Sequence, residues 1–309
     1  MEKKVNKESK LIRAIKKWVE KYGISYLFML PYGVLFIVFI IVPVVTSIGL
    51  SFTYFNVLES PRWIGWTNYK LLFLEDEVWL IAIKNTFVFA LITGPGSMVA
   101  SFTFAWLINR LRYRTAWTLA FYAPSIVSGI AMGIVWMYIL SGDRYGLLNH
   151  YLLKLGILNE PFLWLENVKS MLPSVMIVTL WMSMGTGFLV FLAGLQNVPQ
   201  ILYEAGKVDG IENKFQEVWY ITLPLIKPQL LFGSVMAIVN SFAVFDIAMQ
   251  LTGFPSPQYA TRTIVGHLYD YGFVRFEMGY ASTIAVILFG LTFGLSRIMM
   301  KIFSTRGAY

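Results

Sequence analysis

Glu204-Ala205-Gly206-Lys207-Val208-Asp209-Gly210, running on to Ile221-Thr222-Leu223-Pro224, is a hydrophilic stretch set between two apolar segments. From Val198 to Pro228 the chain is polar and patterned. Pro199 follows the preceding apolar run, and a short helix fits from about Ile201 to Val208. Gly210 then supplies a residue that takes positive φ at a helix end. A second short helix fits roughly Asn213–Tyr220, and Pro224 and Pro228 lead into the next apolar run. Two short helices joined at a glycine make a compact knob. Its shape suits a grip by another protein better than a plain solvated loop.

The rest of the chain reads as lipid-embedded. Its 309 residues are 57% hydrophobic and only 14% charged, with a mean hydropathy of +0.63. Soluble domains carry about 25% charged residues. Cysteine is absent, and the histidines are His150 and His267 alone; disulfides, thiolate sites and histidine clusters are therefore excluded, and no metal or cofactor is expected. The net charge of +8 sits at the ends and between apolar runs rather than in one patch. The bilayer, not nucleic acid, is the partner this pattern implies.

Charge-free apolar runs of about 18 residues or more mark transmembrane helices. No charge falls between Lys21 and Glu59, Lys84 and Arg110, Arg114 and Asp143, or Lys169 and Glu204. The run from Lys227 to Arg262 holds only Asp246, and a sixth lies between Glu277 and Arg297. The predicted fold is an all-α membrane protein with six transmembrane helices, at about 26–52, 85–109, 116–140, 171–196, 229–251 and 279–300. Around this membrane domain, 26–303, lie an N-terminal tail, 1–25, the knob, 197–228, and a C-terminal tail, 304–309. The first apolar stretch, Tyr26 to Phe52, is far longer than the 7–15 residues of a secretory core. It reads as a retained anchor.

Lys and Arg set the orientation. Seventeen of them fall on one side, eight in the N-terminal tail and three each in 110–114, 197–228 and the C-terminal tail. Seven fall on the other side, with Lys84 at a span entrance. The positive-inside rule places both termini and the knob in the cytoplasm. A short amphipathic interface helix fits around Leu11–Val19.

Several spans contain helix breakers: Pro43, Gly94-Pro95-Gly96, Pro124, and Gly185 with Gly187. Breaks are tolerated where neighbours or a water-lined cavity satisfy the freed backbone, so they hint at a translocation path; ordinary packing explains each one singly. Gly129/Gly133 and Gly290/Gly294 have the spacing of close helix contacts. Asp246 is the outlier, because a carboxylate in mid-helix costs about 2.5–3.5 kcal/mol on insertion scales. Asn240, Phe242, Phe245 and Gln250 surround it in sequence, and 242, 246 and 250 would share one helical face. Aromatics alternating with hydrogen-bonding groups suit a neutral sugar. The alternative places Asp246 near the outer end of the span, hydrated or paired with Arg262 or Arg275.

The knob resembles the motif of integral-membrane permease subunits of binding-protein-dependent ABC importers, in the carbohydrate branch typified by the larger permease of maltose-type transporters. That motif reads Glu-Ala-Ala, three residues, Gly, about nine residues, Ile, any residue, Leu-Pro. Glu204, Ala205, Asp209, Gly210, Ile221, Leu223 and Pro224 fill it here. Gly206 stands where the second alanine belongs, and ten residues rather than nine separate Gly210 from Ile221. The glycine should loosen the helix by up to ~1 kcal/mol.

Further similarity lies in Leu30-Pro31, Pro43, Ser51-Phe52 and Trp63-Gly65-Asn68-Tyr69. Phe245-Asp246, Leu251-Thr252-Gly253, Thr263 and Met278-Gly279-Tyr280-Ala281-Ser282 complete it.

The resemblance implies a type I ABC importer permease fold in a bacterial or archaeal cell membrane. It implies a second homologous permease, two ATP-binding-cassette ATPase subunits docked on 197–228, and an extracytoplasmic solute-binding protein. In that scheme Glu204 faces the ATPase, Ala205 and Gly206 allow close approach, and Gly210 makes the turn. The outer loops, with Trp63, Trp66, Tyr69, Tyr259 and Tyr269, would meet the solute-binding protein or form an interfacial aromatic belt.

The sequence holds no nucleotide-binding Gly-x-x-x-x-Gly-Lys-Ser/Thr loop and no catalytic constellation, so the chain is expected to be a transport subunit and not an enzyme. The expected cargo is a sugar, an oligosaccharide in particular. Rival readings are a permease for glycerol phosphate or another polyol, an ion-coupled secondary transporter, and a non-transporting scaffold. An ion-coupled carrier predicts several charged residues within its spans, and Asp246 stands alone.

Overall fold

The computed structural model describes residues 2–127, 129–183 and 185–303, without the side chains of residues 2–16, 18, 19, 124 and 186. Helix α1 (Glu2–Phe36) passes through a π turn, Ile37–Ile41, into α2 (Val42–Leu50). Pro43 explains the turn: it lacks an N–H, and its ring crowds the carbonyl four residues back. A wider turn, in which Val42 N–H reaches the Ile37 carbonyl, relieves that crowding. No residue in the most apolar stretch of Glu20–Leu50 is buried within the chain. The amphipathic reading of Leu11–Val19 rests on side chains that, Lys17 apart, lie outside the described residues, and the C-terminal tail, 304–309, lies outside them as well.

A small hairpin follows, β1 (Thr53–Tyr54) pairing antiparallel with β2 (Arg62–Trp63) in the register Thr53 to Trp63. Helix α3 (Thr67–Leu74) leads to α4 (Glu77–Ile108), whose N-terminal N–H of Trp79 is capped by the Asp76 carboxylate. At ~1.5 Å per residue the 32 residues of α4 outrun a hydrocarbon core of ~30 Å. Gly94-Pro95-Gly96 does not break it. A Cβ on Gly96 would lie 2.9 Å from Leu180, and one on Gly94 3.4 Å from Ser241. These glycines let α4 approach its neighbours closely.

The predicted third span is two helices, α5 (Arg114–Ile126) and α6 (Gly129–Ile139), neither long enough to cross alone. Outside it, α7 (Leu147–Lys154) is pinned by buried Asn149, which bonds Ser141, Asp143 and Phe162. The fourth span joins α8 (Val168–Met182) to α9 (Thr186–Gln196). The knob is α10 (Gln200–Val208), α11 (Lys214–Gln216), a π turn Glu217–Thr222, and α12 (Leu223–Leu225). An 82° bend then turns the chain into α13 (Lys227–Phe242).

The expected continuous span 229–251 is not one helix. It stops at Phe242 and restarts as α14 (Asp246–Thr252). Helix α15 (Ile264–Tyr269) with a π turn, Asp270–Val274, precedes the final span α16 (Met278–Phe303). Four of the six predicted spans are thus long apolar helices or near-continuous helix pairs, at Glu20–Leu50, Glu77–Ile108, Val168–Gln196 and Met278–Phe303. The third and fifth are assembled from shorter pieces.

Helix α4 is the mast of the structure, packed against α13, α9, α8 and α15. Its outer end, with Trp79 and Ala82, meets Leu72, Ile264, Tyr280 and Ile284. Phe89 meets Val175, Val178, Val244 and Leu251 midway. Ala105 and Ile108, at the inner end, meet Phe188, Phe191, Leu195, Ile226 and Leu230. This last cluster fastens the knob to the spans.

Candidate functional site: a two-helix knob and a hydroxyl-lined cavity

The knob forms much as its sequence predicts. Helix α10 spans Gln200–Val208, one residue longer than expected, and Gly210 follows at φ +92°. A side chain there would be strained. Asn213 opens the second piece with a reciprocal capping box: its carboxamide accepts from Gln216 N–H, while Gln216 accepts from the Asn213 backbone. Glu204, Ala205, Asp209 and Gly210 are exposed on one lobe, and Pro224 on the other. Ile221 and Leu223 are half-buried.

Gly206 is buried. A Cβ on it would lie 2.7 Å from Cδ1 of Ile221 and 3.1 Å from Cδ1 of Ile211. The glycine where the motif has alanine therefore lets the two lobes close on each other, a role that helix propensity alone does not reveal. Tyr203 hydroxyl meets Thr222 hydroxyl at 3.0 Å across the same junction. Glu217, buried beneath the knob, binds Lys214 at 2.7 Å and Arg110, in the loop after α4, at 3.1 Å.

In the membrane region a cavity of about 240 Å³ lies among α4, α5, α8, α9 and α13. Thr93, Ser97, Ser101, Ser125, Thr179, Ser183, Asn240 and Ser241 give it a hydroxyl and amide lining. Phe191, Phe232, Met98 and Met236 supply the apolar part, and none of its described lining residues is charged. Ser97, Ser125, Thr179, Ser183 and Ser241 donate to carbonyls one turn back on their own helices. Each proton is thereby used locally, and the oxygen lone pairs remain acceptors for a ligand's hydroxyl donors.

Of the five residues expected on the path, only Asn240 lines this cavity. The predicted shared face of Phe242, Asp246 and Gln250 does not form, because Ala243–Phe245 interrupt the helix between them. Phe242 is buried edge-on against Phe87. Phe245 packs in an outer aromatic group, edge-on to Phe254 and tilted against Tyr269. Asp246 is exposed in the first turn of α14, where a carboxylate complements the helix dipole. Gln250 presses on Gly133, whose hypothetical Cβ would fall within 3.0 Å of its carboxamide carbon. Gly133 thus makes a close contact, whereas Gly129, Gly290 and Gly294 face open space, so the four-residue spacing marks no paired contact within the chain. Nor does Asp246 pair with Arg262 or Arg275; both bind Asp270 instead.

Several residues that sequence reasoning passed over build a polar lock at the outer end. Asp76 accepts from Trp79 N–H, Tyr280 hydroxyl at 2.8 Å and Tyr271 hydroxyl at 3.3 Å, and pairs with His267 at 2.9 Å. Burial alone would raise its carboxyl; the bonds from His267, Trp79 and Tyr280 and the His267 charge outweigh this and hold it well below the usual range. Burial, then the Asp76 charge, pushes the Tyr271 phenol up to about 12.

Asn85 donates to the carbonyls of Tyr259, Ala260 and Arg262, and Thr263 ties its hydroxyl to the Val244 carbonyl at the break in the fifth span. Gly279 packs where a Cβ would strike the Thr53 carbonyl, and its N–H donates to Phe55. The resemblance around 263 and 278–282 is therefore structural. Charged and hydroxyl residues flanking the spans were the available signal, but nothing in their spacing pairs them.

Comparison with known proteins agrees with this geometry. Residues 93–306 match the family described as binding-protein-dependent transport system inner membrane component. The probable ABC transporter permease protein YesP of Bacillus subtilis (strain 168) is 33% identical over 280 residues, covering 90% of this chain and 89% of that one. The arabinooligosaccharides transport system permease protein AraP of the same organism is 31% identical over 285 residues, covering 91% and 89%. In fold, the chain superimposes on a crystal structure of a bacterial alginate ABC transporter in complex with alginate pentasaccharide-bound periplasmic protein. The TM-score is 0.77 at 21% identity, with 94% of this chain and 98% of that one covered. A helical membrane chain of this architecture, matched over most of its length, belongs to the inner membrane components of binding-protein-dependent transport systems, and its role there is transport, not catalysis.

Proposed function

We propose that this chain is the permease subunit through which an ABC importer moves a neutral sugar, an oligosaccharide in particular, across a bacterial or archaeal cell membrane. The observation that carries the reading is the uncharged, hydroxyl-lined cavity bounded by Phe191 and Phe232. Sugar hydroxyls donate to the lone pairs of its Ser and Thr residues, and the rings offer stacking faces for sugar C–H groups. A phosphorylated polyol would want cations in the lining, and none is among the described residues. The role of AraP in arabinooligosaccharide transport supports the same class.

In this reading a second permease faces the chain and two ATPase subunits provide energy, one of them gripping 197–228. The solute-binding protein delivers cargo over the outer loops, where Trp63 and Trp66 stand 72% and 63% exposed. Closure of the ATPase lobes moves the knob; Ile226 and Leu230 transmit the motion to α4 and α9. Such a knob is a bistable element biased by nucleotide.

Uptake and ATP hydrolysis measured on the whole transporter in proteoliposomes test both halves. Asn240→Leu should cut sugar uptake at least about tenfold while ATPase subunits still assemble. Gly210→Asp should leave assembly intact and uncouple hydrolysis from uptake. Full uptake in both variants would end the proposal, and uptake without any ATPase would point to an ion-coupled carrier.

A further inference from the structure

Beneath the knob lies a second cavity, about 410 Å³, which the transport reading does not use. Arg110 and Arg114 line it from the loop after α4 and the start of α5; Lys207 and Lys214 line it from the knob. Glu217 is the one carboxylate in the lining, so four cations against one anion leave a surplus of three positive charges. Glu217 is occupied by Arg110 and Lys214. Arg114 and Lys207 are exposed, and their side-chain cations make no hydrogen bond or ion pair among the described residues. Trp106, stacked under the Arg110 guanidinium at 4.2 Å, also lines the cavity, and its buried indole N–H has no acceptor.

A cleft with this charge and two free cations is built for an anion. Its level matters too. Trp106 and Arg110 sit at the end of a span on the side that the Lys and Arg asymmetry assigns to the cytoplasm, where basic clefts between helices take lipid head groups. We propose that this cavity binds a phosphate-bearing anion, bridged between Arg114 on the spans and Lys207 on the knob. The source is either the head group of an anionic phospholipid or a soluble phosphorylated molecule. Occupancy would tie the knob to the membrane domain and bias its movement. The binding stands independently of the coupling role given to the knob; only its effect on transport rests on that role.

The test uses the full chain in nanodiscs of phosphatidylcholine, with thermal unfolding as readout. One arm adds phosphatidylglycerol to the discs; the other adds inorganic pyrophosphate to the buffer. Arg114→Gln with Lys207→Gln removes the free cations without breaking a described bond. Arg112→Gln with Lys227→Gln removes equal charge on the same side but outside the cavity.

The expected result is a rise in unfolding temperature for the wild type and the outside pair. The cavity pair should need at least about tenfold more probe for the same rise. A response to phosphatidylglycerol alone assigns the head group, and one to pyrophosphate assigns a soluble phosphate. If both pairs respond as the wild type does, or none responds to either probe, the site is refuted. It is refuted equally if the cavity pair loses ATPase capture with its phosphate response unchanged, since the cations would then serve the partner protein.

Discussion

At the outer end, one carboxylate gathers His267, Tyr271, Tyr280 and a backbone N–H around itself, while Arg262 and Arg275 converge on Asp270. At the opposite end of α4, the knob leaves most of its polar residues to solvent, with buried Glu217 and its pairs to Arg110 and Lys214 the exception, and hangs mainly from a dry cluster centred on Ile226. Directional bonds between buried groups admit one geometry; apolar side chains can slide and repack at modest cost. The contrast suits an outer end that holds its loops in place and an inner end that must move as a unit. Both anchors sit on α4, so displacement at one end has a rigid element to travel along.

Breaking the outer lock should have the largest effect. Asp76→Ala strands His267, two phenols and the Trp79 N–H, and should lower stability by about 3–5 kcal/mol, measured by unfolding of the purified chain. Ile226→Ala should cost less, about 2–4 kcal/mol. It should also lower sugar moved per ATP hydrolysed, which Asp76→Ala should not. Were the two variants to change that ratio alike, the division into a fixed end and a moving end would fail.

A pH scan sharpens the same contrast. Because the folded Asp76 carboxyl lies below its unfolded value, its contribution is complete above about pH 4 and drains away as pH falls further, by roughly 1.4 kcal/mol per pH unit at most. Asp76→Asn should flatten that acid limb in a melting series from pH 6 to pH 3. Glu204→Gln in the exposed knob should leave the limb as it is.

The smallest effect is expected at Gly206. Its replacement by Ala gains up to ~1 kcal/mol of helix propensity but places a methyl against the mobile Cδ1 ends of Ile221 and Ile211. Net stability should shift by less than about 1 kcal/mol, with uptake retained. A loss of several kcal/mol would mean that the two lobes cannot give way at all.

How much of this was legible in the sequence differs between regions for a physical reason. The knob is local: its capping box, its positive-φ glycine and its prolines act within a few residues, so reading along the chain recovers it nearly whole. Membrane spans are legible because hydrocarbon excludes charge. The path residues were not, because the face that a helix shows depends on whether the helix continues. Asp246 and Gln250 took positions set by the break at Ala243–Phe245, and Thr263 stabilises that break from nineteen residues away.

By itself, then, the sequence determined that the chain is helical and membrane-embedded, which side its termini face, and that a two-helix knob interrupts its spans. Charge exclusion from lipid and short-range backbone preferences suffice for those. Only the tertiary structure decided that eight hydroxyl and amide side chains from separate helices line one cavity, that Gly206 is a packing site, and that Asp76 meets His267 across 191 positions. Those arrangements arise from packing between distant segments, and no local spacing encodes which distant partner a side chain will find.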